Sequence, residues 1–415
     1  MIEAPRKTTA LLAALAALAS ACATAPAAPP VDVPAQPAPA AQPAPPYHPF
    51  QQDVAWVIEA VQDDATSVLT GRARLTYRNN APEPLARLYF HQYLNAFRPN
   101  SAWATYDLRF DDRTFQDLGP EDHAFERIAS FTVDGRAVTP VYPLAPDSTV
   151  FYVALPSPLA PGASLEAAID WSARLSTEPR RQGRRGRHFD WAHWYPRIAF
   201  YGADGWEYRP HIRPGELNGT FGTYDVAIEL PEDQVLGATG VVVGGDPGWE
   251  ETAVPESGPV VYRTDFYGAT PAPRLGLIDP ASSGPGRKLV RWHAEDVHNF
   301  AWSTSPDYRY RGDAYGATRI HLLWEPTSES WDPDRIMRQQ KEALAWIEEA
   351  DDDEERRRTY RITGAGRAVL VAELARGCPS TAWNVGNLGC HHWILAYYEP
   401  ETQHEVWDEN PDALI

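Results

Sequence analysis

The sequence is poor in cysteine and methionine, and it has fewer basic than acidic residues. Of its 415 residues, three are Cys and two are Met, and 37 Lys and Arg stand against 56 Asp and Glu, which leaves a formal net charge of −19. Such an acidic chain argues against nucleic acid as a partner, because a phosphate backbone binds clustered positive charge. The sequence also has no G-x-S-x-G motif, no Walker-type loop and no G-x-G-x-x-G after a strand. It therefore gives no support to serine hydrolases, nucleotidases or dehydrogenases.

Long apolar runs are also missing, and only the first residues have a targeting pattern. Arg6 and Lys7 precede the apolar stretch from Leu11 to Leu18, which is too short to span a bilayer. The stretch ends in ASAC, and small residues before a cysteine resemble a bacterial lipobox, so residues 1–22 are predicted to be a signal peptide and Cys22 the lipidated residue. The alternative is an ordinary secretory signal with an A-x-A-like cleavage site. Both interpretations predict an exported protein.

Residues 23–46 are almost only Ala, Pro and Gln, a composition typical of a semi-extended tether. The lipid and this tether predict a lipoprotein anchored in the bacterial cell envelope, on the periplasmic side or at the surface. The membrane is then an expected partner through the N-terminal lipid alone.

From residue 47 onward most of the sequence has strand periodicity. Leu69, Gly71, Ala73, Leu75 and Tyr77 share one phase, with polar residues between them. Further runs of this kind are DVAWVIEAV, STVFYVALP, SLEAAIDWSARL, TYDVAIELP and ATRIHLLWEP. In FTVDGRAVTP, two short apolar runs flank an Asp-Gly pair, which predicts a hairpin with a type I′ turn. Residues 47–328 are therefore predicted to form a mainly β domain, a large antiparallel sandwich.

The pattern changes at Ser330. Asp332 suits a helix N-cap and Pro333 the first helical position, and apolar residues such as Ile336 and Leu344 then recur at helical spacing. A helix over 332–350 is predicted, and residues 329–415 are expected to be a short, α-containing segment.

Four stretches together resemble the N-terminal region of zinc aminopeptidases of the aminopeptidase N-like (gluzincin) family. They are LTGRARLTYRNNAPEPLARLYFHQYLNAF (69–97), DWAHWYPRIAFYGADGWEYRPHI (190–212), GTYDVAIELPEDQVLGATG (222–240) and WHAEDVHNFAWSTSPDYRY (292–310). They occur in the order that the family has. The resemblance implies a saddle-like, mostly β N-terminal domain, and the helix at 332–350 resembles the first helix of the family's thermolysin-like catalytic domain. Peptides are the partner that the resemblance implies.

After about Ala350 the resemblance ends. The family continues with a G-x-M-E-N or G-G-M-E-x-P segment, then with H-E-x-x-H and a third zinc ligand. In its intact members zinc polarises the scissile carbonyl and the motif glutamate activates water. This chain has ITGAGRAVLVAEL (362–374) instead. The chain is therefore expected to be a catalytically incomplete relative with no catalytic residue and no zinc of its own. Either the segment 329–415 is truncated or frame-altered, or the protein is a divergent, non-catalytic relative.

Three short histidine patterns are weighed as metal sites and set aside. HEVWD (404–408) has aspartate where H-E-x-x-H has its second histidine, and the Asn-Pro that follows disfavours a helix. The adjacent histidines of HHWIL (391–395) would point to opposite faces of a strand. HAEDVH (293–298) spaces its histidines five apart, out of phase for one helix face, and the family resemblance implies a structural role for it.

The remaining Cys378 and Cys390 are a candidate disulfide in an oxidising compartment, and two separate buried thiols are the alternative.

An arginine-rich segment is the predicted ligand-facing site. Its candidates are Arg184, Arg185, Arg187, Trp191, His193, Trp194 and Tyr195. Arginines beside aromatic residues can hold a carboxylate or phosphate, or stack on a peptide. The alternatives are a solvated basic loop or a patch held against acidic surface elsewhere. The rival function is accordingly an envelope β-sandwich that recognises peptide or glycan through the Arg/Trp surface at 180–197.

Overall fold

A computed structural model describes most of the chain between residues 51 and 352. The described ranges are 51–202, 204–213, 219–249, 274–278, 285–316, 318–326, 332–352 and 370–372. The predictions for the signal peptide, Cys22, the tether, Cys378, Cys390, HHWIL and HEVWD lie outside these residues. The proposed boundary between residues 328 and 329 lies outside them as well, so all of these stay predictions.

The described part of the chain is dominated by strands. They are β1 (Asp53–Asp63), β2 (Val68–Arg78), β3 (Leu85–His91), β4 (Phe125–Val133), β5 (Arg136–Ala137), β6 (Val150–Leu159), β7 (Ser164–Arg174), β8 (Gly183–Arg185), β9 (His188–Trp191), β10 (Arg197–Ile198), β11 (Tyr201–Gly202), β12 (Gly205–Trp206), β13 (Gly222–Pro231), β14 (Val235–Ala238), β15 (Val241–Gly244), β16 (Arg287–Val297), β17 (Trp302–Ser305), β18 (Arg309–Tyr315), β19 (Thr318–Trp324) and β20 (Leu370–Ala372). The helices are α1 (Ala102–Asp107) and α2 (Pro333–Asp352), with 3₁₀ turns at Tyr93–Ala96 and Leu108–Phe110.

An eight-stranded sheet forms the centre, in the order β15-β16-β13-β1-β2-β7-β4-β5. Its strands follow the two-residue alternation of the sequence, since every second residue of β2 from Leu69 to Tyr77 is buried. One face of the sheet therefore packs against the core while the other carries polar side chains. The prediction of a mainly β fold with a large antiparallel sheet is confirmed.

The predicted hairpin between β4 and β5 is confirmed as well. Asp134 has φ +47° and Gly135 has φ +73°, so both central residues have the left-handed backbone that a type I′ turn requires.

Three smaller sheets surround the central one, with the orders β10-β3-β6, β14-β17-β9-β8 and β18-β19-β20, and β11 with β12 forms a two-stranded ribbon. Two strand pairs depart from the antiparallel expectation. β1 runs parallel to β13, and β19 runs parallel to β20. Alternation along a strand shows which side chains face inward but not which partner the strand takes, so these pairs were not visible in the sequence.

Aromatic side chains fill the core between the sheets. Trp56, Trp171, Trp194, Tyr195 and Tyr224 are each at most 1% exposed. The rings of Trp56 and Tyr195 meet edge to face with their centroids 5.3 Å apart, a favoured geometry for aromatic pairs.

Helix α2 begins as the sequence predicts. The backbone N–H of Arg335 donates to the Asp332 carboxylate over 3.1 Å, which satisfies one of the free donors of the first turn. Ile336, Met337 and Leu344 face inward and pack with Ile320 and Leu322 of β19. Among the described residues, no helix combines the length and apolar character needed to cross a membrane.

Substitution of Gly71 by alanine tests the packing of the central sheet. An ideal Cβ on Gly71 would lie 2.2 Å from Cζ2 of the buried Trp171 ring. The strand or the ring must therefore shift, and we expect Gly71→Ala to lower the free energy of unfolding by about 1–3 kcal/mol, measured by urea denaturation.

Gly119→Ala is the matched control, because a Cβ there would meet its nearest atom, Asp122 Oδ2, at 3.4 Å. Equal unfolding midpoints for the two variants would contradict the packing of Gly71 against Trp171.

Candidate functional site

The arginines of the predicted site are held by other parts of the chain. Arg184 donates through Nε to the carbonyl of Leu175 over 3.0 Å and through Nη2 to the carbonyl of Glu121. Arg187 forms ion pairs with two carboxylates, Nε to Asp64 over 2.8 Å and Nη1 to Asp233 over 2.7 Å. These two hydrogen bonds raise the pKa of Arg187 above its usual range.

Arg185 pairs with Glu325, with 2.5 Å between Nη2 and Oε2. Arg185 and Arg187 thus contact acidic side chains, whereas Arg184 contacts backbone carbonyls. The choice between a ligand-facing site and its alternatives stays a prediction.

The aromatic members of the predicted site lie in the core. Trp191, Trp194 and Tyr195 are fully buried, and His193 is 5% exposed. Their polar atoms have internal partners: Trp191 Nε1 donates to Gln62 Oε1 over 2.8 Å and Trp194 Nε1 to the carbonyl of Phe300 over 2.9 Å. These side chains therefore do not form one surface with the arginines, and ligand binding by either set stays a prediction.

His193 belongs instead to a buried polar cluster that sequence reasoning missed. We call the set His91, Tyr93, His193, Arg197, His211 and Asn299 the histidine–arginine cluster. The Tyr93 ring lies at its centre, with centroid distances of 4.6 Å to His91, 4.8 Å to His193 and 5.2 Å to His211. Asn299 Nδ2 lies 3.3 Å from His193 Nδ1.

Several separate segments position the members of this cluster. His91 ends β3 and is the register partner of Arg197 on β10, so the two side chains share one face of that sheet. Tyr93 follows in the 3₁₀ turn after β3. His193 lies between β9 and β10 with φ +53°, an uncommon backbone conformation for a residue with a side chain.

The cluster is connected to the central sheet through tyrosine hydroxyls. Tyr195 OH donates to Tyr224 OH on β13 over 3.0 Å, and it lies 3.2 Å from Asn299 Oδ1 after β16. Residues from β3, β10, β13 and the end of β16 thus meet at one place.

Burial keeps the histidines of the cluster neutral. Desolvation, followed by the charge of Arg197, lowers the pKa of His91 to about 4 and that of His193 well below its usual value. The pKa of His211, which is half-buried, is lowered by desolvation and by His91 and Arg181. Burial raises the pKa of Tyr93 to about 12. At neutral pH Arg197 is therefore the charged member of the cluster.

Two polar atoms of the cluster have no hydrogen-bond partner. Arg197 is 2% exposed and donates through Nη2 to the carbonyl of His298 over 2.5 Å, but its Nη1 is unpartnered. His91 Nε2 lies 3.2 Å from the carbonyl of Glu207, whereas His91 Nδ1 is unpartnered. Buried polar atoms without partners also occur elsewhere in the described chain, for example Trp292 Nε1. Here, however, a donor of a buried arginine and a ring nitrogen of its register partner lie on neighbouring strands, so we treat the cluster as a candidate binding site.

A second titratable arrangement lies on the central sheet. His293 on β16 has Nδ1 2.9 Å from Asp225 Oδ1 and Nε2 3.2 Å from Glu295 Oε1. Despite opposing desolvation, hydrogen bonds to the two carboxylates raise its pKa to about 9. The H-x-E spacing within HAEDVH was the available signal, because residues two apart on a strand share a face. The expected structural role fits an imidazolium held between carboxylates.

A third arrangement connects β9 to the segment after β19. His188 Nδ1 lies 2.9 Å from Glu325 Oε1, and its Nε2 lies 3.1 Å from Asp190 Oδ2. Burial opposes ionisation of Glu325, but hydrogen bonds from His188 and Ser305 lower its pKa to about 2.

None of these arrangements has the composition of a zinc centre. Within the described ranges, no group of three or more His, Cys, Asp or Glu side chains is placed to hold a metal ion.

Comparison with known proteins gives short or distant likenesses. No family model matches the chain. A 61-residue part, 14% of this chain, is 54% identical to 15% of the oxygenase component of an FADH2-dependent resorcinol hydroxylase from Rhizobium sp. (strain MTP-10005). A 48-residue part, 12% of the chain, is 38% identical to 12% of a pigment production hydroxylase from Rhodococcus erythropolis. The chain thus spans only about 15% or less of the curated relatives it matches.

Among solved structures, 79% of the chain is similar to 57% of an M1 zinc metallopeptidase from Deinococcus radiodurans, with 12% identity and a TM-score of 0.41. A two-domain M1 zinc metallopeptidase mutant bound to L-tryptophan is similar over 81% of this chain and 59% of its own, with 14% identity and a TM-score of 0.41.

The protonated state of His293 predicts a pH-dependent stability. Its folded pKa of about 9 lies above the unfolded value of about 6.5, so the contribution is present below pH 6.5 and is lost as pH rises through 9. We expect the unfolding free energy of the wild type, relative to His293→Gln, to fall by roughly 2–3 kcal/mol between pH 6 and pH 10. Urea denaturation over this range measures it.

His123→Gln is the matched control. His123 is half-buried and lies outside the strands, and its ring contacts the backbone carbonyl of Ala124. A wild-type stability that changes with pH no more than that of His293→Gln would contradict the assignment.

Proposed function

We propose that this chain is an exported, lipid-anchored relative of zinc aminopeptidases whose β part contacts peptides and which does not itself hydrolyse them. The proposal joins the ordered sequence resemblance over about residues 50–325 with the geometry of the histidine–arginine cluster.

One observation carries the proposal. Each of the four stretches that resemble the family supplies a residue at or beside the histidine–arginine cluster. Tyr93 comes from the first stretch, His193 and Arg197 from the second, Tyr224 from the third and Asn299 from the fourth. These stretches, which are far apart in sequence, meet at one place in the fold, as is expected if they belong to one domain of the family.

The segment after the β sheets supports the same relationship. β19, α2 and β20 form a parallel β-α-β arrangement, in which α2 packs its apolar side chains on β19. This is where the resemblance expects the first helix of a catalytic domain.

The zinc of intact family members would require three converging protein ligands. The described residues supply no such group, so they do not fit the ion and no hydrolytic step is assigned to them.

The part of the chain after α2 has a different proposed origin. The resemblance to aminopeptidases ends near Ala350, and the 65 residues from Asp351 to Ile415 are enough to contain the 61-residue match to the resorcinol hydroxylase component. We infer that the match belongs to this part, and locating it within residues 51–350 would contradict that. Since the match covers 15% of the hydroxylase component, no hydroxylase activity is proposed for this chain.

We expect the purified full chain not to hydrolyse aminoacyl-anilides, with or without added zinc, because a hydrolytic zinc site needs ligands that this sequence does not complete. Release of the aniline is followed by absorbance. Glu405→Gln is the matched variant: zinc-dependent hydrolysis that disappears in it would disprove the catalytic part of the proposal.

Peptide contact is tested with fluorescently labelled peptides of acidic and neutral composition and the full chain. We expect fluorescence anisotropy to show that the peptides bind. Arg185→Ala should weaken the binding of the acidic peptides several-fold more than the binding of the neutral peptides. The reason is that the Arg185 side chain is 49% exposed in the arginine-rich segment that the sequence predicts to face a ligand.

Arg113→Ala is the control, since Arg113 is an exposed arginine paired with Asp117 on another loop. Peptide contact at this segment would be contradicted if none of the peptides binds. It would also be contradicted if Arg185→Ala and Arg113→Ala weaken peptide binding equally.

A further inference from the structure

Among the residues that the structure describes, no carboxylate forms an ion pair with Arg197. The residue is 2% exposed, its Nη2 donates to one backbone carbonyl, and Nη1 has two N–H bonds and no acceptor. Some arginines of the described chain pair with carboxylates: Arg72 pairs with Asp170 over 2.6 Å, and Arg287 with Glu229 over 2.6 Å. Arg184 donates to backbone carbonyls instead, but it is only half-buried. Full burial of a guanidinium without a carboxylate partner is unfavourable, and this sets Arg197 apart from these three arginines.

The surroundings of Arg197 favour an anion. Besides desolvation, the charges of Arg197 and Arg181 lower the pKa of His193, so guanidinium groups act on this part of the cluster. The histidines are neutral and add no charge of their own. The rings of Tyr93, Phe97 and Trp103 pack around His211 and make this side of the cluster apolar.

The hydrogen-bonding pattern indicates which donors and acceptors the ligand must have. His91 Nε2 faces the carbonyl of Glu207, so the neutral ring has its proton on Nε2 and an acceptor lone pair on Nδ1. Nδ1 has no donor. The cluster therefore offers N–H bonds from Arg197 and one acceptor from His91 on neighbouring strands.

The cluster also borders solvent and contains a strained residue. His211 is half-buried and the His298 side chain is exposed, while the carbonyl of His298 accepts from Arg197. His193 is in the left-handed region at φ +53°, and such conformations are concentrated at ligand sites.

We propose that the histidine–arginine cluster is a binding site for a small carboxylate that has a hydroxyl or N–H group next to it. The carboxylate accepts from Arg197 Nη1, and the neighbouring donor reaches His91 Nδ1. The ligand is expected to have a single negative charge. One unpartnered arginine nitrogen surrounded by aromatic rings offers too few donors to stabilise a dianion such as phosphate. The inference does not depend on the aminopeptidase relationship, since it uses only the contacts, burial and backbone geometry of residues in this cluster.

The test is thermal unfolding of the full chain in glycolate, acetate, phosphate or chloride at matched ionic strength. We expect glycolate to raise the Tm by about 2–4 °C at 100 mM, with acetate acting more weakly and chloride not at all. An N-acetylated dipeptide with a free carboxylate, compared with its amide, distinguishes a peptide end from a free acid. Stabilisation by the free-carboxylate peptide alone would assign the site to peptide ends.

Arg197→Met should abolish the glycolate effect, and Arg113→Met should leave it unchanged. Arg197 is buried, so its replacement by methionine can change the stability of the fold by itself. Isothermal titration calorimetry of the wild type and of His91→Phe is therefore the second measurement. The expected result is glycolate binding at least several-fold tighter than acetate binding in the wild type, with this preference lost in His91→Phe. Equal stabilisation by phosphate and glycolate, or no binding of any carboxylate, would overturn the proposal.

Discussion

The parallel pairing of β1 with β13 joins the two halves of this molecule. On one side of the pair lie β2, β7, β4 and β5, and on the other lie β16 and β15. Seven residue pairs from Ala55–Thr223 to Val61–Glu229 make this seam, across a long separation in sequence. Closing so long a loop costs entropy that local contacts do not recover, so the seam depends on burial of the flanking core. Without it, Tyr224 and Asn299 would not meet Tyr195 and His193.

The sequence predicts local structure well where a single element decides the outcome. The alternation in β2, the Asp134–Gly135 turn and the Asp332 cap each follow from a few neighbouring residues, and the structure has all three. The seam between β1 and β13 was not predictable in this way, because the register of a strand pair is set by what the rest of the fold buries.

The site was predicted less well, for a related reason. Aromatic residues beside arginines suggested a surface, but the indole N–H groups of Trp191 and Trp194 have acceptors inside the protein, so both rings can be buried at little cost. The histidine–arginine cluster takes only one or two residues from each stretch. No spacing within one stretch reveals that His91 and Arg197 are partners across two strands.

The Glu325 carboxylate connects two parts of the chain that are far apart in sequence. Arg185 of β8 and His188 of β9 both contact its carboxylate, and Glu325 follows β19 directly. The end of β19 is therefore connected to β8 and β9 through the Glu325 carboxylate. Because the pKa of Glu325 is lowered to about 2 against opposing desolvation, the carboxylate is ionised at neutral pH, and its contacts with Arg185 and His188 hold the end of β19 to the β8–β9 hairpin.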